Sequence, residues 1–174
     1  SLSDTAIRLL EPRYGHFPGP THETYEAAEN FCAFLKSRGV TQVGVIGVAW
    51  SRQGYWYIGH SPLLAKAISA KMLPENSAPA QVQGFRKYCG NKRSRVWICT
   101  QVDDGIAKAY ANPGCAEKKI VSAAAHFGDT LLEMSIIQYP PGAAAEQLSS
   151  YESLGDSNGV LYLCPCDSCL AVGK

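Results

Sequence analysis

Residues 43–50, Val-Gly-Val-Ile-Gly-Val-Ala-Trp, form a nearly continuous apolar run. A strand with one wet face alternates apolar and polar side chains, so an unbroken run of this length reads as a strand buried on both faces. Such a strand needs packed layers on either side of it. The flanking sequence offers them. Upstream, Thr21-His22-Glu23-Thr24 provides helix caps, and Tyr25, Ala28, Phe31, Cys32, Phe34 and Leu35 recur at helical spacing until Gly39 stops the pattern. Downstream, Ser51-Arg52-Gln53-Gly54 makes a turn and Tyr55 to Ile58 returns as a second strand.

The remaining chain continues this alternation. Pro62 to Met72 reads as a helix opened by proline, and Arg95 to Val102 has strand composition. Cys115 to Phe127 is a second amphipathic helix, with Ala116, Ile120, Ala124 and Phe127 as its inner stripe and Gly128 closing it. Met134 to Tyr139 and Val160 to Leu163 read as strands, and Pro140 to Asn158 as a long loop between them. Residues 1–20, rich in Pro and Gly, are expected to be an irregular arm laid over the core, and Gln81 to Arg95 a basic loop. At 174 residues and 46% hydrophobic, the chain suffices for one well-buried domain spanning residues 1–174.

Two cysteine motifs carry chemistry. Cys115-Ala116-Glu117 opens the second amphipathic helix, and Pro165-Cys166-Asp167-Ser168-Cys169 follows the last strand. A catalytic zinc takes three protein ligands and leaves its fourth position to water. Cys166-x-x-Cys169 supplies two sulfurs from one turn and Cys115 supplies a third. Glu117, two positions from Cys115, is then close enough to move a water proton without being a ligand. Both cysteine groups fall in first turns of helices, where partial positive charge stabilises thiolate. Lys118 is a further cation nearby, equally readable as a solvated surface residue. An alternative stands beside this reading: with Cys164 just upstream, Cys-Pro-Cys-x-x-Cys can also form a four-thiolate structural site. The odd count of seven cysteines argues against a disulfide framework, and Cys32 and Cys99 read as buried free thiols.

The C-A-E and P-C-x-x-C pair resembles the cytidine deaminase-like superfamily, and bacterial toxin deaminases within it most closely. The resemblance covers residues 115–169 well and the hairpin of residues 43–60 moderately. It implies a three-layer α/β/α fold around a central mixed sheet, one Zn²⁺ held by Cys115, Cys166 and Cys169, and Glu117 as the proton carrier that converts cytosine to uracil by hydrolysis of its C–N bond. It further implies DNA in preference to RNA as the polynucleotide and, for a toxin delivered as part of a larger secreted protein, an immunity partner; the sequence leaves the oligomeric state open, with a monomer favoured. The resembled fold continues after its second motif, whereas only Leu170 to Lys174 follow Cys169 here. Either the chain is trimmed or sheet positions are filled from elsewhere, with Arg95 to Val102 the candidate. The start at Ser1 fits a domain cut from a longer protein.

Nucleoside deaminases of this superfamily hold ribose through an Asn-x-Glu at the end of the second strand, where this chain reads Gly59-His60-Ser61-Pro62. His60 and Ser61, with Trp50 of the hairpin, are therefore the candidate substrate contacts. Net charge is only +1, yet Arg86, Lys87, Lys92, Arg93 and Arg95 place five of the 16 Lys and Arg within ten residues. Interleaved with Phe85, Tyr88 and Trp97, they suit phosphates and stacked bases, or a solvated loop. A free cytidine or nucleotide remains the alternative substrate, and a non-catalytic zinc-binding interaction domain the alternative class. No apolar run approaches the ~18 residues of a membrane span and the N-terminus lacks signal-peptide order, so a soluble chain acting in a reducing compartment is expected.

Overall fold

A computed structural model describes residues 2–72, 88–91, 95–100, 102, 115–140, 153–155, 160–165 and 167–170. Its centre is a mixed seven-stranded sheet of β1 (Gly44–Ser51), β2 (Trp56–His60), β3 (Tyr88–Asn91), β4 (Val96–Cys99), β5 (Leu131–Tyr139), β6 (Ser153–Gly155) and β7 (Leu161–Leu163), in the order β3-β4-β2-β1-β5-β7-β6. β2 and β4 run parallel and the other neighbours antiparallel. The described helices are α1 (Asp4–Leu10), α2 (His22–Ser37), α3 (Pro62–Met72), α4 (Ala116–His126) and α5 (Asp167–Leu170). Among the described residues no helix is long and apolar enough to cross a membrane.

The apolar run at residues 43–50 behaves as its composition requires. β1 lies between β2 and β5, and all but one of its residues are buried. Val48 lines a groove with Ala27 and Phe31 of α2, whereas Gly47 faces Ala116 and Ile120 of α4. Successive strand residues point to opposite faces, so α2 and α4 cover β1 from opposite sides. The stretch at residues 95–102 does contribute a strand, β4, which pairs Val96 with Trp56 and Cys99 with Gly59 and so lies beside β2, on the other side of the sheet from β7 and the second motif.

Two expectations fail. The N-terminal 20 residues are not an irregular arm. Ser3 caps α1 by accepting the Ala6 N–H at 3.2 Å, and a 3₁₀ turn over Glu11–Tyr14 follows, with Pro12 near its start. Leu2, Ile7, Leu10, Tyr14 and Phe17 are buried, so the helical spacing of apolar residues outweighs the Pro and Gly around it. The Tyr14 hydroxyl sits between two strands: it accepts the Ile136 N–H of β5 at 3.2 Å and donates to the Leu163 carbonyl of β7 at 3.1 Å. The basic loop and the long loop also each contain a strand, β3 and β6. Both pair by backbone hydrogen bonds that do not depend on an apolar face.

Candidate metal centre

The site begins with two glycines. Gly47 and Gly59 are register partners in β1 and β2, and the first turn of α4 lies directly on them. A Cβ on Gly59 would stand 2.3 Å from the Ala116 carbonyl oxygen and 2.9 Å from Ile120 Cγ1, and one on Gly47 would stand 3.0 Å from Ile120 Cδ1. Absence of these side chains lets the helix start sink onto the sheet. The consequence is burial all round: Ala116, Glu117, Lys118, Lys119 and Ile120 are consecutive and all buried.

Cys115 is the N-cap residue of α4 and Cys169 lies in α5, so both thiols belong to the first turns of helices, as the motifs suggest. One donor atom each from Cys115, Glu117 and Cys169 lie within 4.8 Å of one another, and all three residues are buried. This group can hold a metal ion. All three side chains are anionic when ionised, and such groups share a dry space favourably only with a cation among them. Cys166 lies outside the described residues. The Cys164 thiol is buried but stands apart from this group, close enough to Tyr14 and Tyr25 to help raise both phenols, whose main perturbation is burial. Cys32 and Cys99 are buried and in no disulfide, as expected, and burial pushes Cys32 up to about 12.

The cation beside this group is Lys119. Its ammonium donates to the His60 carbonyl oxygen at 2.7 Å and lies 3.3 Å from His60 Nδ1. Burial lowers Lys119 to about 8, against the opposing pull of Cys115 and Cys99. Lys118 is buried as well, so its reading as a solvated residue is corrected. A Lys-Lys pair carries no sign of burial by itself. The sign lies in the spacing, since Lys119 stands one helical turn beyond Cys115, on the same flank.

The candidate substrate residues separate. His60 is completely buried, and burial first, then Lys119, lowers it to about 4. Ser61 is also buried, but its hydroxyl accepts the Val45 N–H at 2.9 Å and its own N–H donates to the Val45 carbonyl at 2.9 Å, which closes the end of the β1–β2 ladder. Trp50 pairs with Trp56, while His60 pairs with Ile46, four residues away along β1. That is roughly 13 Å of strand, so Trp50 belongs to the opposite end of the hairpin, where its ring packs on Trp56.

Of the basic cluster, Arg86, Lys87, Lys92 and Arg93 lie outside the described residues, as does Phe85. Arg95 lies at that same far end. It has a left-handed backbone (φ 58°) and donates to the Gln53 and Gly54 carbonyls at 3.3 and 3.1 Å, with its guanidinium 5.6 Å from the Tyr55 ring centre. It staples the β1–β2 turn. Trp97 is buried and stacked on Phe127 at 4.6 Å, so its face is closed to a nucleic-acid base. The fold thus consumes Trp97 in its core, whereas Arg95, though tied to the turn, stays exposed.

A groove of about 620 Å³ lies on the opposite side of the sheet, between α2 and Val48, Trp56, Ile58, Val96 and Ile98. Its lining includes none of Cys115, Glu117, Cys169 or His60. Comparison of the chain with protein-family models, curated proteins and solved structures yields no match.

Proposed function

We propose that the chain is a zinc-dependent hydrolytic deaminase converting cytosine to uracil in a polynucleotide, DNA rather than RNA, on a three-layer scaffold of the cytidine deaminase type. One observation carries the reading. Cys115 and Glu117 at the start of α4 and Cys169 in α5, distant in sequence, bring their donor atoms within 4.8 Å in a buried space. Cys115 and Cys169, joined by Cys166, would hold the ion, and zinc would supply a water activated at neutral pH.

The chain's own part is proton traffic and exclusion of solvent. Glu117 takes a proton from the attacking water and delivers it to N3 of the ring. A second transfer protonates the departing amine, so that cytosine and water yield uracil and ammonia. Burial of Glu117 keeps bulk water from competing for these protons and strengthens every charge interaction around it. The helix start contributes fixed positive potential beside the anionic ligands, and Lys119 adds a full positive charge near Cys115.

The deciding experiment exposes a mixed pool of DNA and RNA to the zinc-loaded protein and sequences it. C-to-T changes in DNA are expected; an unchanged pool from protein carrying one zinc per chain sinks the reading. The burial of Trp97 against Phe127 favours a second reading, a deaminase of free cytidine or cytosine nucleotides. Ammonia release from free cytidine, with the nucleic-acid pool untouched, would select it.

A further inference from the structure

His60 Nδ1 has two neighbours at the same distance, and they make opposite demands. The Ser61 carbonyl oxygen, at 3.3 Å, can only accept a proton, and the Lys119 ammonium, also at 3.3 Å, can only donate one. A proton on Nδ1 would set it face to face with the ammonium. A lone pair there instead receives a charge-assisted hydrogen bond, roughly twice as strong as a neutral one. Lys119 is held in place by the His60 carbonyl at 2.7 Å, so it cannot swing away without losing that bond. The Ser61 carbonyl loses little, because it already accepts the Leu64 N–H at 3.1 Å.

With Nδ1 accepting, the ring proton belongs to Nε2. That nitrogen is fully buried and has no hydrogen-bond partner among the described residues. A buried N–H left unmade is costly, and such a group points to something that binds there. The ring stays uncharged at neutral pH, because burial and the neighbouring ammonium both oppose a second proton. The His60 ring borders α4 through Lys119, 3.3 Å from Nδ1, on the same helix that carries Glu117 and is capped by Cys115.

We propose that Lys119 is a positioning residue that makes His60 carry its proton on Nε2, and that this N–H is the donor offered to a carbonyl oxygen of the substrate ring. The second half rests on the deaminase reading. Cytosine carries such an oxygen beside N3 and adenine carries none, so one neutral donor separates a 4-amino-2-oxopyrimidine from an aminopurine. The contact makes His60 a specificity-determining residue and leaves the proton transfers to Glu117.

The test is ¹⁵N spectroscopy of the full chain labelled at its four histidines, with His60 assigned through His60→Gln. At pH 7 the wild-type spectrum should show the Nε2–H tautomer for His60, retained in Lys119→Arg and shifted toward Nδ1–H in Lys119→Met. A wild-type Nδ1–H tautomer overturns the role of Lys119, whether or not the variants fold. In a Glu117→Ala background, an oligonucleotide with a single dC should move the Nε2 proton, and the same oligonucleotide with dA should not. His60→Gln should weaken dC binding by roughly tenfold, the size expected for one buried hydrogen bond. An equal response to dC and dA, or none, overturns the donor role. The tautomer spectrum requires no turnover, so a chain that deaminates nothing would refute the deaminase reading while Lys119 is judged on its own result.

Discussion

The two faces of the sheet are built on opposite plans. On the α2 face the helix packs on β1 and β5, and beside it a groove is lined mainly by apolar side chains, Ala27, Phe31, Phe34, Val48, Ile58 and Ile98, together with Glu23, Glu26 and Asn30. On the α4 face the helix backbone touches the sheet through Gly47 and Gly59, and the residues driven inward include Glu117, Lys118, Lys119 and Ser122. Buried charges weaken a fold unless their partners compensate, and apolar replacements are often no worse. Their concentration beside the Cys115, Glu117 and Cys169 group sets this face apart from the mainly apolar one.

The comparison breaks most visibly at Glu117. Glu117→Gln should reduce deamination by about 10²–10⁴-fold, the usual contribution of a positioned proton carrier, with metal content unchanged. Loss of the metal, or activity within a few-fold of wild type, would show that the carboxylate serves as a ligand or as packing. A pH titration of stability comes next. His60 holds its proton less firmly when folded, so between about 4 and the ordinary 6.5 the unfolded chain binds more protons and stability rises with pH. The penalty is full below pH 4 and gone above 6.5, on the order of 3 kcal/mol from the size of the shift. Denaturant unfolding of wild type against His60→Gln should show it, and parallel curves would refute it.

Smaller effects sharpen the contrast. Gly59→Ala should cost about 2–3 kcal/mol and weaken metal binding, because the new methyl group meets the Ala116 carbonyl, which the rigid helix cannot withdraw. Gly47→Ala meets only the flexible tip of Ile120 and should cost about 1 kcal/mol. Equal costs at the two positions, read from thermal or denaturant unfolding, would mean that the helix does not rest on the backbone of β2. On the other face, Phe34 is 38% exposed, and Phe34→Ser should change stability by no more than about 0.5 kcal/mol without touching metal content or turnover. A loss of activity there would make the groove part of the site.

What was legible in the sequence follows the same division. Strand β1, the hairpin and helices α2 and α4 announce themselves because burial repeats with the period of each element. Cys115, Glu117 and Cys169 stand out because metal chemistry restricts residue type and spacing together. The depth of α4 was not legible, since it arises from glycines in two strands that become neighbours only after pairing. For the same reason Lys119 went unremarked while Lys118 drew attention. Trp97 misled because composition counts aromatics without saying which of them the core will consume. The N-terminal helix was obscured by the proline and glycine that end it.

The Tyr14 hydroxyl, wedged between Ile136 and Leu163, has a consequence for how the molecule comes into being. A ribosome releases residue 14 well before residue 163, so this phenol waits for a further 149 residues before its carbonyl partner exists. Contacts that span so much sequence form late and slow the search for the native state. Until then β5 has β1 on one side but lacks β7 on the other. The nascent domain is thus most exposed to misassembly just before β7 emerges, and a chaperone that shields residues 2–17 should raise the folded yield more than one acting on the β1–β2 hairpin.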